Sequence, residues 1–139
     1  MSFMSVEFID TNVLVYAHCR EPKAKFSAAV ELIDSLGEQR TGALSSQVLA
    51  EFYSIMTGKL RMTSLEAEAA ITDLSSWTLH RPSHADILNA IQLQRRYKLS
   101  WWDAMIVNSA LETGAKVLWT EDLNHGQEFG SLVVRNPFA

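Results

Sequence analysis

The sequence predicts an α/β protein, a sandwich of helices around a mainly parallel five-stranded sheet. Three observations carry this. Short apolar runs, such as Val6–Ile9 and Val117–Thr120, recur along the chain. Segments with helical spacing separate them, so strand and helix alternate from end to end. The 139 residues, 47% hydrophobic and 20% charged, match one folded domain, 1–139, able to bury a core.

Taken in order, Val6–Ile9 is a strand whose apolar run suits a buried parallel position, and it stops on Asp10. Asn12–Cys19 can follow as a short helix. Pro22 fits the first turn of the next, Lys23–Leu36, where Phe26, Val30 and Ile33 share a face that Ala29 and Leu32 widen; Gly37 is the expected stop. Thr41–Ser45 reads as a short strand. Ser45 or Ser46 then caps a helix with Val48, Leu49, Phe52, Ile55 and Met56 on one face, ended by Gly58. Thr63 and Glu66 have capping-box spacing and open a helix to about Leu74. Trp77–His80 is a strand. Ser83 with Asp86, and Ser100 with Asp103, open two more helices in the same pattern. Gly114 stops the second, Lys116–Thr120 is a strand, and Leu132–Val134 is the last. No repeat, linker or low-complexity segment interrupts the alternation.

Composition narrows the function. No apolar run reaches the roughly 20 residues that span a bilayer. The opening Met1–Ser5 lacks the basic and long apolar regions of a leader. Cys19 is the single cysteine, which rules out an intrachain disulfide and suits a reducing, cytoplasmic setting. A net charge of −4 argues against a protein that coats nucleic acid by charge alone. It allows one that processes nucleic acid when cations offset its acids.

Four acids stand out by position. Asp10 follows the first strand, and Asp122 lies just past the strand ending at Thr120. In an open parallel sheet both would emerge at the carboxyl edge, where ligands bind, and both are expected to flank helix starts. Glu51 borders the apolar stripe of its helix. Asp103 lies in the first turn of its helix. Each also has a plain structural reading: Asp10 as a helix cap, Glu51 as a solvated edge, Asp103 as half of a capping box, Asp122 as a turn former. The set points to chemistry more strongly than any member. Clustered carboxylates repel, and a divalent cation such as Mg²⁺ relieves the repulsion while activating water for attack on phosphorus. Zinc fits poorly, because His18, His80, His84 and His125 form no Cys/His pair at zinc-site spacing. There is no Gly-rich phosphate loop and no Gly-x-Ser-x-Gly elbow.

The succession Phe8–Leu14, Ala50-Glu51-Phe52, Trp102-Asp103-Ala104 and Leu118–Leu123 resembles a PIN domain, and more narrowly the VapC-type ribonuclease toxins of type II toxin–antitoxin systems. The resemblance spans nearly the whole chain. It implies a three-layer α/β/α sandwich and Mg²⁺- or Mn²⁺-dependent endoribonuclease activity. It implies an acidic pocket of Asp10, Glu51, Asp103 and Asp122, with Asp10 and Asp103 as direct metal ligands. Thr11, Asn12 and Thr120 would orient carboxylates and waters. It further implies homodimers and a small VapB-type antitoxin that often puts a basic side chain in the pocket.

Other residues have double readings. Arg95, Arg96 and Lys98 can meet RNA phosphates or simply favour a helix carboxyl end. Trp101 and Trp102 can stack bases or pack in a core or dimer surface. His125 can touch RNA or be an ordinary loop residue. Two other functions stay open. Asp10-Thr11-Asn12 is similar to the opening of haloacid-dehalogenase-like phosphatases, although their second Asp is replaced by Asn12. A non-catalytic domain could also use the acids to bind a regulatory cation or a basic partner.

Overall fold

The computed structural model describes residues 5–139; the expectation about a leader falls mainly on Met1–Met4, which lie outside the described residues. The elements run β1 (Glu7–Ile9), α1 (Thr11–Tyr16), α2 (Lys23–Gln39), β2 (Gly42–Ser45), α3 (Ser46–Gly58), α4 (Ser64–Thr72), β3 (Thr78–His80), α5 (His84–Tyr97), α6 (Trp101–Glu112), β4 (Val117–Trp119), β5 (Glu128–Phe129) and β6 (Leu132–Arg135). Two helices follow each of β1, β2 and β3, but β4, β5 and β6 follow one another with no helix between them, so the strict alternation expected from the sequence ends at β4.

The sheet order is β3-β2-β1-β4-β6-β5. All neighbours pair parallel except β5 and β6. The sheet therefore has six strands where the sequence suggests five. The extra strand is the two-residue β5, which folds back on β6 through Gly130 at φ 61. Two residues are too few for a period to register. The order reverses direction beside β1, so the gap between the carboxyl ends of β1 and β4 is the switch point of this sheet.

Strands of three or four residues hold their place because they are buried. Phe8, Ile9, Leu44, Leu118 and Val134 have 1% exposure or less and pack with Val48, Phe52 and Val107 from the flanking helices. Burying each such side chain contributes about 1.5–3 kcal/mol. No helix among the described residues is long and apolar enough to cross a membrane.

The helix ends follow their predicted caps with two differences. Thr63–Glu66 and Ser83–Asp86 form complete capping boxes, and Ser45 accepts from Val48 N at 3.2 Å. Helix α2, however, runs past Gly37 to Gln39. Arg40 turns left-handed at φ 58, and Thr41 N closes onto the Leu36 carbonyl at 3.0 Å. Gly37 supplies no stop because the helical hydrogen bonds continue two residues further. Ser100 accepts from Asp103 N at 3.2 Å, but no return bond from Ser100 N to the Asp103 carboxylate occurs among the described residues. That box is half built.

Gly42 opens β2 beneath Trp77. A Cβ there would lie 2.5 Å from two ring carbons of the indole, well inside contact distance. We expect Gly42→Ala to cost about 1–3 kcal/mol through overpacking, seen as a lower Tm by calorimetry. Trp77→Leu in the same chain should recover part of the loss. An unchanged Tm in the single variant would show that the indole moves aside freely.

Candidate active site

Three segments deliver the acids to one edge. The first is the β1–α1 junction. Asp10 N bonds the Trp119 carbonyl at 3.0 Å, extending the β1–β4 ladder by one residue. The Asp10 side chain is then enclosed, with 8% exposure. One carboxylate oxygen accepts from Thr11 N at 2.7 Å and the other from the Thr120 hydroxyl at 2.8 Å. The first bond is the expected helix cap, so the cap reading of Asp10 is correct and does not compete with a site.

The second segment follows β4. Thr120 is buried, and its hydroxyl oxygen also accepts from Asp122 N at 3.1 Å. This fixes the backbone that carries Asp122. The Asn12 amide reaches the exposed Asp122 carboxylate at 3.5 Å. Asp122 does not open a helix, because the chain turns from it toward β5. The turn-former reading holds for its backbone.

The third segment is the start of α6, which holds half-buried Asp103. Glu51 stands apart on α3. It borders the buried stripe of Val48, Phe52 and Met56, as its spacing predicts. The Thr11 hydroxyl donates to one of its oxygens at 3.4 Å and the Gln47 amide to the other at 2.7 Å. Glu51 thus meets the site through Thr11 instead of touching Asp10 through a bond.

Electrostatics binds the set together. Burial pushes the Asp10 carboxyl up to about 7; the Thr120 hydroxyl opposes this and the Asp122 charge reinforces it. Asp103 is also raised, by burial first, against an opposing pull from Ser100, with the Asp122 charge adding a smaller push upward. Asp122 therefore acts on both. Among the described residues, no basic side chain pairs with any of these acids. Lys25 pairs instead with Glu121, the residue before Asp122: its Nζ bonds Glu121 at 2.7 Å and is within 3.3 Å of the Tyr16 hydroxyl.

The donors are oxygens only, which suits a hard cation. Asp10 is the group such a cation would relieve, being buried with its charge uncompensated. No group of three or more His, Cys, Asp or Glu side chains among the described residues is arranged to hold a metal ion. The acids form an open wall and not a closed cage.

The remaining candidates fall outside this wall. Arg95, Arg96 and Lys98 end α5, exposed, with Arg96 5.3 Å over the Tyr97 ring. Helices α5 and α6 are joined by a short link and pack antiparallel, with Asp86 on Asn108 and Ala90 beside Ala104 and Met105. The basic cluster therefore lies toward the end of α6 that carries Asp103. His125 is a loop residue whose Nδ1 accepts from Asn136 N at 3.0 Å. Trp101 packs against the small cluster of Ala90, Ala104 and Met105, whereas Trp102 is 63% exposed. Gln47 and Lys25 were not expected. Gln47 lies one turn before Glu51, a spacing that pairs side chains on a helix. Lys25 meets Glu121 from 96 residues away, with no local signal.

The PIN domain model matches residues 8–127, and the chain belongs to the PIN domain family. No curated protein sequence matches the chain. Solved structures with the same fold include a toxin–antitoxin complex from Klebsiella pneumoniae, at TM-score 0.69 and 18% identity, covering 94% of this chain and 97% of that one. The Mycobacterium tuberculosis VapC20 toxin, described as cleaving the sarcin–ricin loop, aligns at TM-score 0.65 and 17% identity over 81% of this chain and 86% of its own. VapBC2 from Rickettsia felis, bound to a fragment of its promoter DNA, aligns at 0.64 and 20% over 94% and 98%.

Asp10 ionises near pH 4 in an unfolded chain and near 7 when folded. The folded state holds the extra proton between those values. Its stabilising contribution is complete below about pH 4 and is lost as pH rises through about 7. In metal-free buffer, the Tm advantage of Asp10→Asn over wild type should therefore grow across that interval. A difference independent of pH would mean Asp10 ionises normally.

Proposed function

We propose that this protein is a divalent-metal-dependent endoribonuclease, one PIN domain over residues 1–139, and the toxin of a toxin–antitoxin pair. The observation that carries the proposal is the set of Asp10, Asp103 and Asp122 at the sheet's switch point, unpaired with any basic side chain among the described residues, with Glu51 one hydroxyl away. Family membership supports nuclease chemistry, and the toxins among the structural neighbours support the biological role.

In this reading Asp10 and Asp103 hold Mg²⁺ or Mn²⁺, and Glu51 and Asp122 complete the site. When bound, the cation supplies charge neutralisation at the phosphate and lowers the pKa of water. The chain's own residues do the positioning. Thr120 and Thr11 occupy one hydrogen-bond position on each Asp10 oxygen and so fix where the remaining lone pairs aim. Asn12 steadies Asp122, and Gln47 steadies Glu51. The charge on Arg95, Arg96 and Lys98 attracts the RNA backbone toward the same end. A homodimer acting in the cytoplasm, silenced by an antitoxin that offers a basic side chain to the acids, completes the proposal.

Purified protein should cleave RNA with Mg²⁺ or Mn²⁺ and stop when the metal is chelated. Asp10→Asn keeps the shape and both hydrogen bonds possible, so it should fold and reduce cleavage to background. Thr120→Val should cost roughly 10–100-fold. Products should end in 5′-phosphate and 3′-hydroxyl, since water and not the 2′-hydroxyl attacks. Equal cleavage by wild type and Asp10→Asn, or 2′,3′-cyclic phosphate ends, would overturn the proposal.

A further inference from the structure

We propose that the cleft between α3 and the start of α6 is a nucleobase pocket, in which Trp102 stacks a base of the RNA next to the cleavage site. This rests on the ribonuclease reading above and adds where the substrate is recognised.

The cleft is a cavity of about 400 Å³ lined by Gln47, Ala50, Glu51 and Trp102, within the size range of small-molecule sites. It adjoins the acids on two sides. Glu51 belongs to both, and Trp102 is the residue before Asp103. The Trp102 indole is left 63% exposed, whereas its neighbour Trp101 is partly buried against a core cluster. Ala50 gives the opposite wall a small, flat surface.

The chemistry of the lining selects the occupant. Its one charged group is the Glu51 carboxylate, which disfavours phosphate. Its polar group is Gln47, whose amide nitrogen is committed to Glu51 at 2.7 Å. The Gln47 Oε1 is shielded from solvent and has no hydrogen-bond partner among the described residues. Sealed from solvent, it is equally out of reach of a ligand in the cleft, so it selects no occupant. A neutral, planar ligand satisfies both remaining features: a face for the indole and no negative charge for Glu51. A nucleobase has that chemistry, and the phosphate following it would lie toward Asp103 and Asp10. Stacking on an aromatic side chain tolerates any base.

The test reads binding and turnover separately. The protein has four tryptophans. Their indole N–H resonances are recorded in ¹⁵N-labelled protein, and that of Trp102 is identified by its absence from Trp102→Phe. Nucleoside monophosphates of the four bases, and ribose 5-phosphate as a base-free control, are titrated without metal. The Trp102 resonance should move with at least one nucleotide and stay still with ribose 5-phosphate. In cleavage assays Trp102→Ala should raise KM by roughly 5- to 150-fold with little change in kcat, and Trp102→Phe should recover most of the loss. Trp102 is exposed, so both variants should keep the wild-type Tm. A Trp102 resonance unmoved by every nucleotide, or moved equally by ribose 5-phosphate, overturns the pocket. So does Trp102→Ala cleaving RNA like wild type, or a Trp102 resonance that answers only to a protein partner. If wild-type protein cleaves no RNA, the nuclease reading fails alone, and the nucleotide titration still decides whether a base binds here.

Discussion

The hydrogen bond from the Thr120 hydroxyl to Asp10 is the contact on which the candidate site depends. It joins the carboxyl ends of β1 and β4, the two strands that flank the switch point. A buried carboxylate without a counter-charge would otherwise relax toward solvent or bind a proton permanently. Here its burial is enforced by the Phe8 and Ile9 side chains just before it, which have no exposure at all. The same Thr120 oxygen accepts from Asp122 N. One hydroxyl therefore sets the spacing of two acids, and the sheet's parallel register sets the hydroxyl. The uncompensated charge is a direct consequence of the fold and is not an accident of side-chain choice.

The other half of the site depends on a polar network on the far strand. His80 on β3 bonds Ser109 at 2.8 Å and Asp86 at 3.2 Å, and Asn108 and Ser83 also donate to Asp86. Asn108 most of all, then the Ser83 backbone, holds the Asp86 carboxyl down to about 2. A serine, a histidine and an aspartate in sequence of contact suggest a hydrolase triad. Ser109, however, has no exposure, so its hydroxyl is closed to a substrate. The network instead locks α5 and α6 to the edge of the sheet. That fixes the direction of α6, and with it the position of Asp103 at its first turn.

The sequence was informative wherever a physical period or a terminal rule operated. The buried run Val6–Ile9 and the stripe of Val48, Phe52 and Met56 are the core, and the positions of Asp10 and Glu51 follow from them. It was uninformative where contacts cross the chain. The tie from Lys25 to Glu121 and that from the Trp119 indole to Glu7 at 2.7 Å join residues far apart, and no local pattern marks either. The strand β5 is too short for a pattern to exist. The two tryptophans at 101 and 102 are neighbours in sequence and opposites in environment, because the helix turns one into the core and the next outward.

The half-built box at Ser100 shows how a local rule and a functional need separate. Thr63–Glu66, Ser83–Asp86 and Ser100–Asp103 have the same spacing and in each the serine or threonine accepts its backbone bond. In the first two the acid reaches back and completes the motif, and Asp86 is held strongly acidic by Asn108 first and by the Ser83 backbone N–H next. Asp103 does not reach back. It faces burial and the Asp122 charge, and its carboxyl is raised instead of lowered. Completing the box would satisfy one more N–H and hold the carboxylate against its own helix. Leaving it open gives up a modest capping contribution, about 0.5–2 kcal/mol for caps in general, and keeps the oxygens available at the edge of the sheet. The same sequence pattern therefore serves as a structural lock in two helices and as a source of an uncommitted acid in the third. What distinguishes them is the neighbouring strand: α6 begins beside the β1–β4 switch point, and the other two helices do not.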